Sequence, residues 1–220
     1  MNKVIAIDGP AGSGKGTITK IIAEKLNLVY IDTGATYRSI ALAALRNNLK
    51  VTDKDKIIEL AKTLEIDFDQ SGKTYLNGEN VSSLIRTNEV SNIVSPISSI
   101  PEIRKIMVDL QRKMANNKDV IMEGRDITTV VFPDTKYKFY LDAEAEERAK
   151  RRLKQNEEMG IPSNYEDILK SIKERDYNDM HKPIGALMRT KDQIYIDSTH
   201  MTIDEVVDKI IMEIKKIDLS

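Results

Sequence analysis

The stretch Gly9-Pro10-Ala11-Gly12-Ser13-Gly14-Lys15-Gly16-Thr17 decides the fold of this chain. It follows the apolar, β-branched run 4–8, which is typical of a buried parallel strand, and precedes residues 15–26, where isoleucines recur at helical spacing. A glycine-rich loop between a strand and a helix presents backbone N–H groups at a helix N-terminus, where they can cradle phosphate groups. The sequence therefore predicts a P-loop, the phosphate-binding loop of many α/β proteins.

Two side chains of this loop supply what backbone groups cannot. Lys15 brings a mobile positive charge to the β- and γ-phosphates of a nucleotide, and the Thr17 hydroxyl is a suitable ligand for Mg²⁺. Gly16 separates them, a variation that many nucleoside monophosphate kinases share. A glycine-rich turn without function is the alternative, but the flanking strand and helix are the setting that phosphate binding requires. We therefore predict that residues 9–17 bind ATP or GTP with Mg²⁺.

The hydrophobic pattern of the whole chain predicts an α/β, three-layer P-loop fold with a central parallel sheet. We predict its strands at 4–8, 28–31, 119–122, 136–141 and 193–196, and helices at 15–26, 33–47, 53–62, 87–94, 102–116, 144–159, 165–179 and 203–217. Residues 64–68 and 73–76, with Asn77-Gly78 as a turn signal, indicate a small antiparallel sheet. We expect one domain, residues 1–220, with a core of about 1–48 and 96–220 and an insert of about 49–95.

Composition excludes several classes of protein. The 220 residues suffice for one domain with a buried core, and 34 Lys and Arg against 35 Asp and Glu give no basic excess for nucleic acid. The chain has no cysteine, which excludes disulfides and cysteine nucleophiles. No apolar run reaches the roughly 20 residues of a membrane span, and the start Met1-Asn2-Lys3 is too polar and short for a signal peptide. We expect a cytoplasmic protein without nucleic-acid or membrane partners.

Classes of P-loop protein differ in the motifs that accompany the loop. A GTPase needs Asn-Lys-x-Asp after a strand, whereas Asn116-Asn117-Lys118-Asp119 has the wrong spacing and lies before one. A motor or transporter ATPase usually has an apolar strand ending in Asp-Glu, whereas the predicted strand at 119–122 ends in Glu123-Gly124-Arg125-Asp126. Glu123 could hold a water on Mg²⁺ or be a solvated strand end, and the sequence leaves both readings open.

A kinase whose acceptor is a phosphate needs arginines rather than a base, because the second pKa of a phosphate monoester is about 6. Arginines hold two polyanions in line and spread the developing charge. Arg38 and Arg125 follow predicted strands, where ligands of α/β proteins bind. The helical cluster Arg148, Arg151 and Arg152 could instead pair with the glutamates before it, and Arg175 could simply pair with Asp179.

Several strings of residues resemble those of bacterial cytidylate kinases, a nucleoside monophosphate kinase type of P-loop protein. They are Asp8 to Thr17 (DGPAGSGKGT), Asp32 to Arg38 (DTGATYR), Glu123 to Pro133 (EGRDITTVVFP), Leu141-Asp142-Ala143 followed by Glu146 to Arg152 (EERAKRR), and Lys173 to Asp176 (KERD). The loop alone marks a large superfamily, whereas the second and third strings together are far more specific. The resemblance runs from Val4 to about Ile217.

The resemblance implies an enzyme that transfers the γ-phosphate of ATP to CMP or dCMP with Mg²⁺ as cofactor. It implies catalytic roles for Lys15, Arg38, Arg125 and Arg151. It implies that the substrate-binding residues are Asp32, Thr33, Arg38, Ser95, Arg104, Arg125, Asp126, Arg175, Asp179 and Lys182. Among them, Arg38 and Arg125 are expected to meet the CMP phosphate.

The remaining roles follow from the same resemblance. Asp126, with Ser95 and Arg104, is expected to read cytosine, and Arg175 with Asp179 to meet the ribose. A carboxylate accepts from the cytosine amino group, whereas uracil has an oxygen there and is disfavoured. The insert is expected on the CMP side of the core.

This sequence departs from the family pattern at three positions. Lys182 stands where relatives often have an arginine and lacks its bidentate fork. Thr33 replaces a serine and keeps the hydroxyl, and Glu123 replaces an aspartate, which leaves its role at Mg²⁺ open. The resemblance also implies a lid of about 144–165, in which Arg151 and its neighbours close over the phosphates and shut out water.

We expect a monomer, because no large unexplained apolar face remains. Two alternatives stay open at this point. One is a P-loop kinase for another nucleoside monophosphate, and the other is a non-enzymatic ATP-binding protein.

Overall fold

The computed structural model describes residues 2–69 and 71–219. In chain order its elements are β1 (Val4–Asp8), α1 (Lys15–Leu26), β2 (Val29–Asp32), α2 (Thr33–Arg46), α3 (Lys54–Thr63), β3 (Ile66–Phe68), β4 (Thr74–Leu76), β5 (Glu79–Asn80), α4 (Asn88–Ser98), α5 (Pro101–Met114), β6 (Val120–Gly124), β7 (Tyr137–Asp142), α6 (Ala145–Glu158), α7 (Tyr165–Met180), β8 (Ile194–Asp197) and α8 (Ile203–Leu219). A 3₁₀ turn at Leu84–Arg86 and a π-helical turn at Ile127–Val131 complete them.

The central sheet is parallel and has the strand order β2-β6-β1-β7-β8. Asp8 at the end of β1 lies beside Gly124 of β6 on one side and Tyr140 of β7 on the other. The predicted α/β fold with a central parallel sheet is therefore confirmed, and so is each predicted helix and strand. The largest shift is in α4, which was predicted over 87–94 and ends at Ser98.

Alternation along the strands creates the three layers. Ile5 and Ile7 of β1 pack in one core with α1 and α8, whereas Ala6 between them packs in a second core that includes Val108 of α5. Residues two apart on a strand point to the same face, and here both faces are covered by helices. This explains why the strands read as continuous apolar runs.

Helix α8 is buried at most, but not all, of the positions that its periodic pattern predicts. Val206, Val207, Ile210 and Ile214 are buried as predicted, and Ile211 packs at the margin of the same core. Ile203 was also predicted to face inward, and this was wrong because its side chain is 49% exposed. It is the first residue of the helix, and the buried positions of α8 begin only at Val206.

The segment predicted as an insert contains a three-stranded antiparallel sheet, β3-β4-β5. Asn77 and Gly78 both take a positive φ, 50° and 82°, as the tight turn of a hairpin between β4 and β5 requires. This sheet shares its apolar core with α2, α3 and α4. The sequence did not predict β5, because Glu79–Asn80 is a two-residue exposed strand without an apolar pattern.

The carboxyl ends of β1, β2 and β6 meet at one edge of the central sheet, which is where open α/β sheets bind ligands. The phosphate loop, the start of α2 and residues 124–126 all leave the sheet there. In the part of the chain that the structure describes, no helix is both long and apolar enough to cross a membrane.

Candidate active site

The phosphate loop connects β1 to α1 at this edge. Gly12 and Gly14 take left-handed φ angles of 77° and 87°, and Gly14 caps α1 without any side-chain hydrogen bond to the helix. The first turn of α1 carries no acidic residue. Its N–H groups and the positive end of the helix dipole are therefore left for an anion, as a phosphate site needs.

Lys15 is folded back onto the loop. Its Nζ donates to the carbonyl oxygens of Gly9 at 2.8 Å and Pro10 at 2.7 Å, and the side chain is buried. Burial, followed by the positive charge of Arg125, lowers the pKa of Lys15 to about 7. Because phosphate oxygens favour the charged form, Lys15 is poised to exchange these carbonyls for a nucleotide.

Glu123 lies at the end of β6 beside the loop. Its Oε1 accepts a 2.5 Å hydrogen bond from the Tyr30 hydroxyl, and burial followed by the charge of Asp32 raises the pKa of Glu123. A Cβ on Gly16 would lie 3.1 Å from the same Oε1. The extra glycine of the loop therefore leaves room for this carboxylate.

The exposed Thr17 hydroxyl has no hydrogen bond within the described residues. A hydroxyl and one carboxylate suit Mg²⁺, which keeps several waters and takes its other ligands from phosphates. No cluster of three carboxylate or imidazole groups that could cage a metal occurs in residues 2–69 and 71–219. The residues present thus fit an ion that arrives with a nucleotide.

Positive side chains gather near the phosphate loop, around the end of β6 and the last turn of α7. Arg125 donates through Nε to Asp179 at 2.8 Å, and Lys182 pairs with the other oxygen of Asp179 at 2.9 Å. Arg175 makes no ion pair with Asp179 in the part of the chain that is described, so the simple i, i+4 bridge is not formed. The positive charges of Arg125 and Arg38 both lower the pKa of Arg175, after partial desolvation. The three guanidinium groups therefore act on one region of the cleft.

Arg38 and its neighbours at the start of α2 form hydrogen bonds with other groups of the protein. Arg38 donates through Nη1 to the carbonyl of Ile85 at 3.1 Å and to Ser91 Oγ at 2.9 Å. Asp32 caps α2 by accepting from the Ala35 N–H at 3.1 Å. Thr33 donates to the Glu123 carbonyl at 2.6 Å. In this geometry Asp32 and Thr33 fix the start of α2, and their predicted substrate contacts stay predictions.

A buried ion pair joins Arg104 of α5 to Asp126 after β6. Arg104 also donates to the Ser98 carbonyl at 3.3 Å and lies 5.6 Å from the centre of the Tyr37 ring. Its Nε, although buried, has no hydrogen-bond partner within the described residues. A buried donor without a partner is costly, and a ligand with an acceptor atom would satisfy it. Burial raises the pKa of Asp126, and Arg104 opposes that rise.

Ser95 is exposed on α4, one turn before Ser98. Its carbonyl accepts from the hydroxyls of Ser98 at 3.0 Å and Ser99 at 2.9 Å. Its own hydroxyl makes no hydrogen bond to Arg104 or Asp126, so its predicted role in reading a base stays a prediction.

The segment after α7 closes over the buried ion pair. A Cβ on Gly185 would overlap the Arg104 guanidinium and lie 2.5 Å from Asp126 Oδ2. The N–H of Leu187 holds the segment by donating to the Asp179 carbonyl at 2.8 Å. Gly185 has a left-handed φ of 66°, so a larger residue would be disfavoured on two counts. Gly185 was not predicted from the sequence, because a lone glycine in a loop carries little signal.

The arginines of α6 do not act as one group. Arg151 donates through Nη2 to the carbonyls of Ser198 at 2.7 Å and Thr199 at 3.1 Å, after β8. Arg148 is buried and pairs with Asp176 of α7. A catalytic role for Arg151 therefore requires its guanidinium to leave these carbonyls, and it stays a prediction.

Comparison with known proteins identifies the family of this chain. A family model described as cytidylate kinase matches residues 5–216. The chain belongs to the cytidylate kinase family. It is 46% identical over 212 residues to the cytidylate kinase of Clostridium botulinum strain Hall, covering 96% of this chain and 97% of that one. The cytidylate kinase of Desulforamulus reducens is 47% identical over 217 residues, with 98% of each chain covered.

Solved structures agree on the fold of this cytidylate kinase family member. An uncharacterised protein from Eubacterium ventriosum has a TM-score of 0.54 at 16% identity, covering 97% of this chain and 99% of that chain. Shikimate kinase from Bacteroides thetaiotaomicron has a TM-score of 0.50 at 13% identity, covering 97% and 98%. At these identities the likeness concerns the fold alone.

Asp8, at the end of β1, has a structural role that was not predicted from the sequence. This fully buried carboxylate accepts from the N–H groups of Ile127 at 2.9 Å and Thr128 at 2.8 Å, and from the Thr128 hydroxyl at 2.6 Å. Gln193 donates to the same hydroxyl at 2.5 Å. Asp8 thus fixes the turn directly after Asp126, and a carboxylate closing an otherwise apolar strand was the signal that could have revealed it.

Proposed function

We propose that this protein transfers the γ-phosphate of ATP to CMP or dCMP and releases ADP with CDP or dCDP. One observation carries the proposal. Just after β6, the strand that pairs with β1, a buried arginine with an unpartnered donor is paired with a buried carboxylate, Arg104 with Asp126. Together they offer the donor and acceptor atoms that cytosine demands.

The donor site would hold ATP through the loop backbone. The N–H groups at the start of α1 face the phosphates, and Lys15 leaves the carbonyls of Gly9 and Pro10 to follow the β- and γ-phosphates. Thr17 and Glu123 would hold Mg²⁺, the second directly or through water. When bound, the ion neutralises phosphate charge.

The acceptor phosphate needs no base. Its oxygens are largely ionised at neutral pH, so the protein has to position it and to stabilise charge in the transition state. Arg125 and Lys182 are held at the cleft by Asp179, and Arg38 lies at the start of α2. These groups would release their protein partners to bind the phosphate.

Base recognition rests on opposite demands of cytosine and uracil. Asp126 accepts hydrogen bonds only, so it suits the amino group of cytosine and disfavours the oxygen that uracil has there. Arg104 Nε would donate to an acceptor on the same base. Ser95, at the surface of α4, is proposed as a further contact.

Ribose recognition is proposed for Arg175 and Asp179. Because Arg125 and Lys182 occupy Asp179 in this structure, the carboxylate would become available to a sugar hydroxyl when the acceptor phosphate draws these cations away. Residues of about 49–95 are proposed as the CMP-side insert and residues of about 144–165 as the lid, within one domain. A monomeric state and a cytoplasmic location stay predictions.

A coupled assay of ADP release with AMP, UMP, CMP and dCMP as acceptors tests the proposal. We expect activity with CMP and dCMP at least ~100-fold above that with UMP, since a site built around hydrogen bonds rejects a mismatched base strongly. Equal activity on all four acceptors would refute cytosine recognition. Absence of ADP and CDP with every acceptor would favour a non-enzymatic ATP-binding protein.

Asp126→Ala separates the two sites. We expect it to lower kcat/KM for CMP by about 100-fold, because it removes a charged acceptor and leaves Arg104 buried without its partner. The affinity for ATP, measured by calorimetry, should stay within about twofold, as Asp126 is not part of the phosphate loop. An equal loss on both substrates would indicate general damage instead.

A further inference from the structure

Arg148 lies at a junction of three elements. It is 4% exposed, and its Nε donates to the Ala143 carbonyl before α6 at 2.8 Å. Its Nη1 donates to the Ala11 carbonyl in the phosphate loop at 2.8 Å. Both Nη atoms also donate to Asp176 of α7, at 3.1 Å and 2.5 Å. The guanidinium is thus committed to protein partners and ties the loop to α7.

Packing reinforces this link to the loop. A Cβ on Gly12 would lie 3.8 Å from the Arg148 Cβ and 3.9 Å from its Cδ, which is ordinary van der Waals contact. The loop backbone beside Gly12 therefore lies over the stem of Arg148. A displacement of Arg148 would therefore shift the phosphate loop, because the loop contacts the aliphatic part of this side chain and its Ala11 carbonyl accepts a hydrogen bond from it.

The same part of α7 also holds the acceptor side of the cleft. Asp179 follows Asp176 by three residues and pairs with Arg125 at 2.8 Å and Lys182 at 2.9 Å. About one turn of α7 is therefore attached to the donor loop by Asp176 and to the acceptor cations by Asp179.

We propose that Arg148 and Asp176 are positioning residues that couple acceptor binding to the phosphate loop. An acceptor phosphate attracts Arg125 and Lys182 and repels Asp179, so it favours a different placement of α7. Asp176 carries this change to Arg148, and Arg148 carries it to Ala11. The inference rests on the proposed function, because it takes the cleft at Arg125 as the acceptor site. Coupling of this kind is reciprocal, so donor binding would also change acceptor affinity.

The test measures affinities rather than turnover. ADP with Mg²⁺ is titrated by calorimetry into the full chain with and without saturating CMP. We expect CMP to change the Kd of ADP by at least about fivefold in the wild-type protein. In Arg148→Lys and Asp176→Asn, the Kd of ADP with CMP and the Kd of ADP without CMP should differ by no more than about twofold. Lysine lacks the bidentate guanidinium of arginine, and asparagine lacks the charge of aspartate. CMP alone should still bind both variants.

Arg46→Lys is the matched control. Arg46, the last residue of α2, makes a bidentate pair with Glu79 of β5 at 2.6 Å and 2.8 Å, but at the surface of the protein. We expect it to keep the wild-type ratio. The proposal is overturned if Arg148→Lys and Asp176→Asn also keep the wild-type ratio of Kd values. If they weaken ADP binding but keep that ratio, the role of the two residues is purely structural.

Hydrogen exchange of the wild-type protein covers the case in which neither variant folds. CMP alone should change the exchange of amides in residues 9–17, and unchanged exchange with CMP bound overturns the coupling. If CMP alone gives no heat in calorimetry, CMP does not bind, and both the acceptor site and the coupling are refuted. If CMP gives heat but leaves the exchange of residues 9–17 unchanged, only the coupling is refuted.

Discussion

Gly185 lies against the Arg104 guanidinium so closely that even a methyl group at position 185 would overlap it. The buried pair of Arg104 and Asp126 is therefore held between the Tyr37 ring, 5.6 Å from the guanidinium, and a backbone without a side chain. The segment that follows α7 thus forms a wall of the proposed base site. Its position is fixed by contacts that are far apart in sequence.

Gly185→Ala should damage acceptor binding selectively. The methyl group would displace either Arg104 or the segment itself, so we expect KM for CMP to rise about tenfold, while KM for ATP changes little. Steady-state kinetics with each substrate varied in turn measures both values.

Gly78→Ala controls for backbone strain. Gly78 also has a positive φ, 82°, but no atom lies within 4 Å of a Cβ placed there. It should lower the melting temperature through strain and leave KM for CMP unchanged. If the two alanine variants behave alike, the close approach at Gly185 has no role in binding.

Lys15 should make nucleotide binding depend on pH. Its pKa of about 7 lies below the ordinary lysine value, so at pH 8 the ligand-free side chain is largely neutral. Phosphates raise the pKa again, and binding of ADP at pH 8 should therefore take up as much as ~0.9 proton. Affinity should fall as the pH rises above 7, because protonating Lys15 then costs more free energy.

Calorimetry of ADP binding at pH 8 in two buffers of different ionisation enthalpy counts these protons. Lys15→Arg is the control, since a guanidinium stays charged and should take up none. A binding enthalpy that is the same in both buffers for the wild-type protein would contradict the lowered pKa.

Glu123→Gln should raise the Mg²⁺ concentration needed for half-maximal activity by about tenfold, because an amide is a weaker ligand for a hard cation than a carboxylate. Glu123→Asp keeps the charge and should stay closer to the wild-type value. The measurement is ADP release over a series of Mg²⁺ concentrations at saturating ATP and CMP. Identical Mg²⁺ dependence in all three proteins would leave Glu123 as a partner of Tyr30 alone.

Asp8→Asn should destabilise the fold. Asp8 is fully buried and accepts three hydrogen bonds from Ile127 and Thr128, whereas an asparagine would place an NH₂ group against these donors. We expect a loss of about 3 kcal/mol in the free energy of unfolding. Urea denaturation followed by circular dichroism measures it, and a loss below ~1 kcal/mol would contradict the role given to this carboxylate.

Local patterns in the sequence were enough for the elements that set the fold. Strands such as Val4–Asp8 and helices such as Lys15–Leu26 follow from apolar runs and helical spacing, which depend on neighbours in the chain. Elements without such a pattern were not predicted from the sequence, among them the π-helical turn Ile127–Val131. That turn is held by Asp8, more than a hundred residues away, and so no local signal announces it.

In the candidate site, too, some features could be predicted from the sequence and others could not. The residues of the phosphate loop, Arg125 and Asp126 could be identified from sequence strings, since those strings are contiguous. The partners of these residues could not. Asp179 pairs with Arg125 rather than with Arg175 four positions before it, and Arg148 faces Asp176 and Ala11 instead of a substrate.

The sequence by itself determined a P-loop fold with a parallel sheet, because glycine spacing and strand periodicity are properties of short segments. Cytidine nucleotides were implied by the resemblance of its motifs to those of cytidylate kinases. Only the tertiary structure decided which charges face one another, that Gly185 closes over Arg104 and Asp126, and that a turn of α7 joins both sides of the cleft. These are contacts between segments far apart in the chain, and packing of the whole fold sets them.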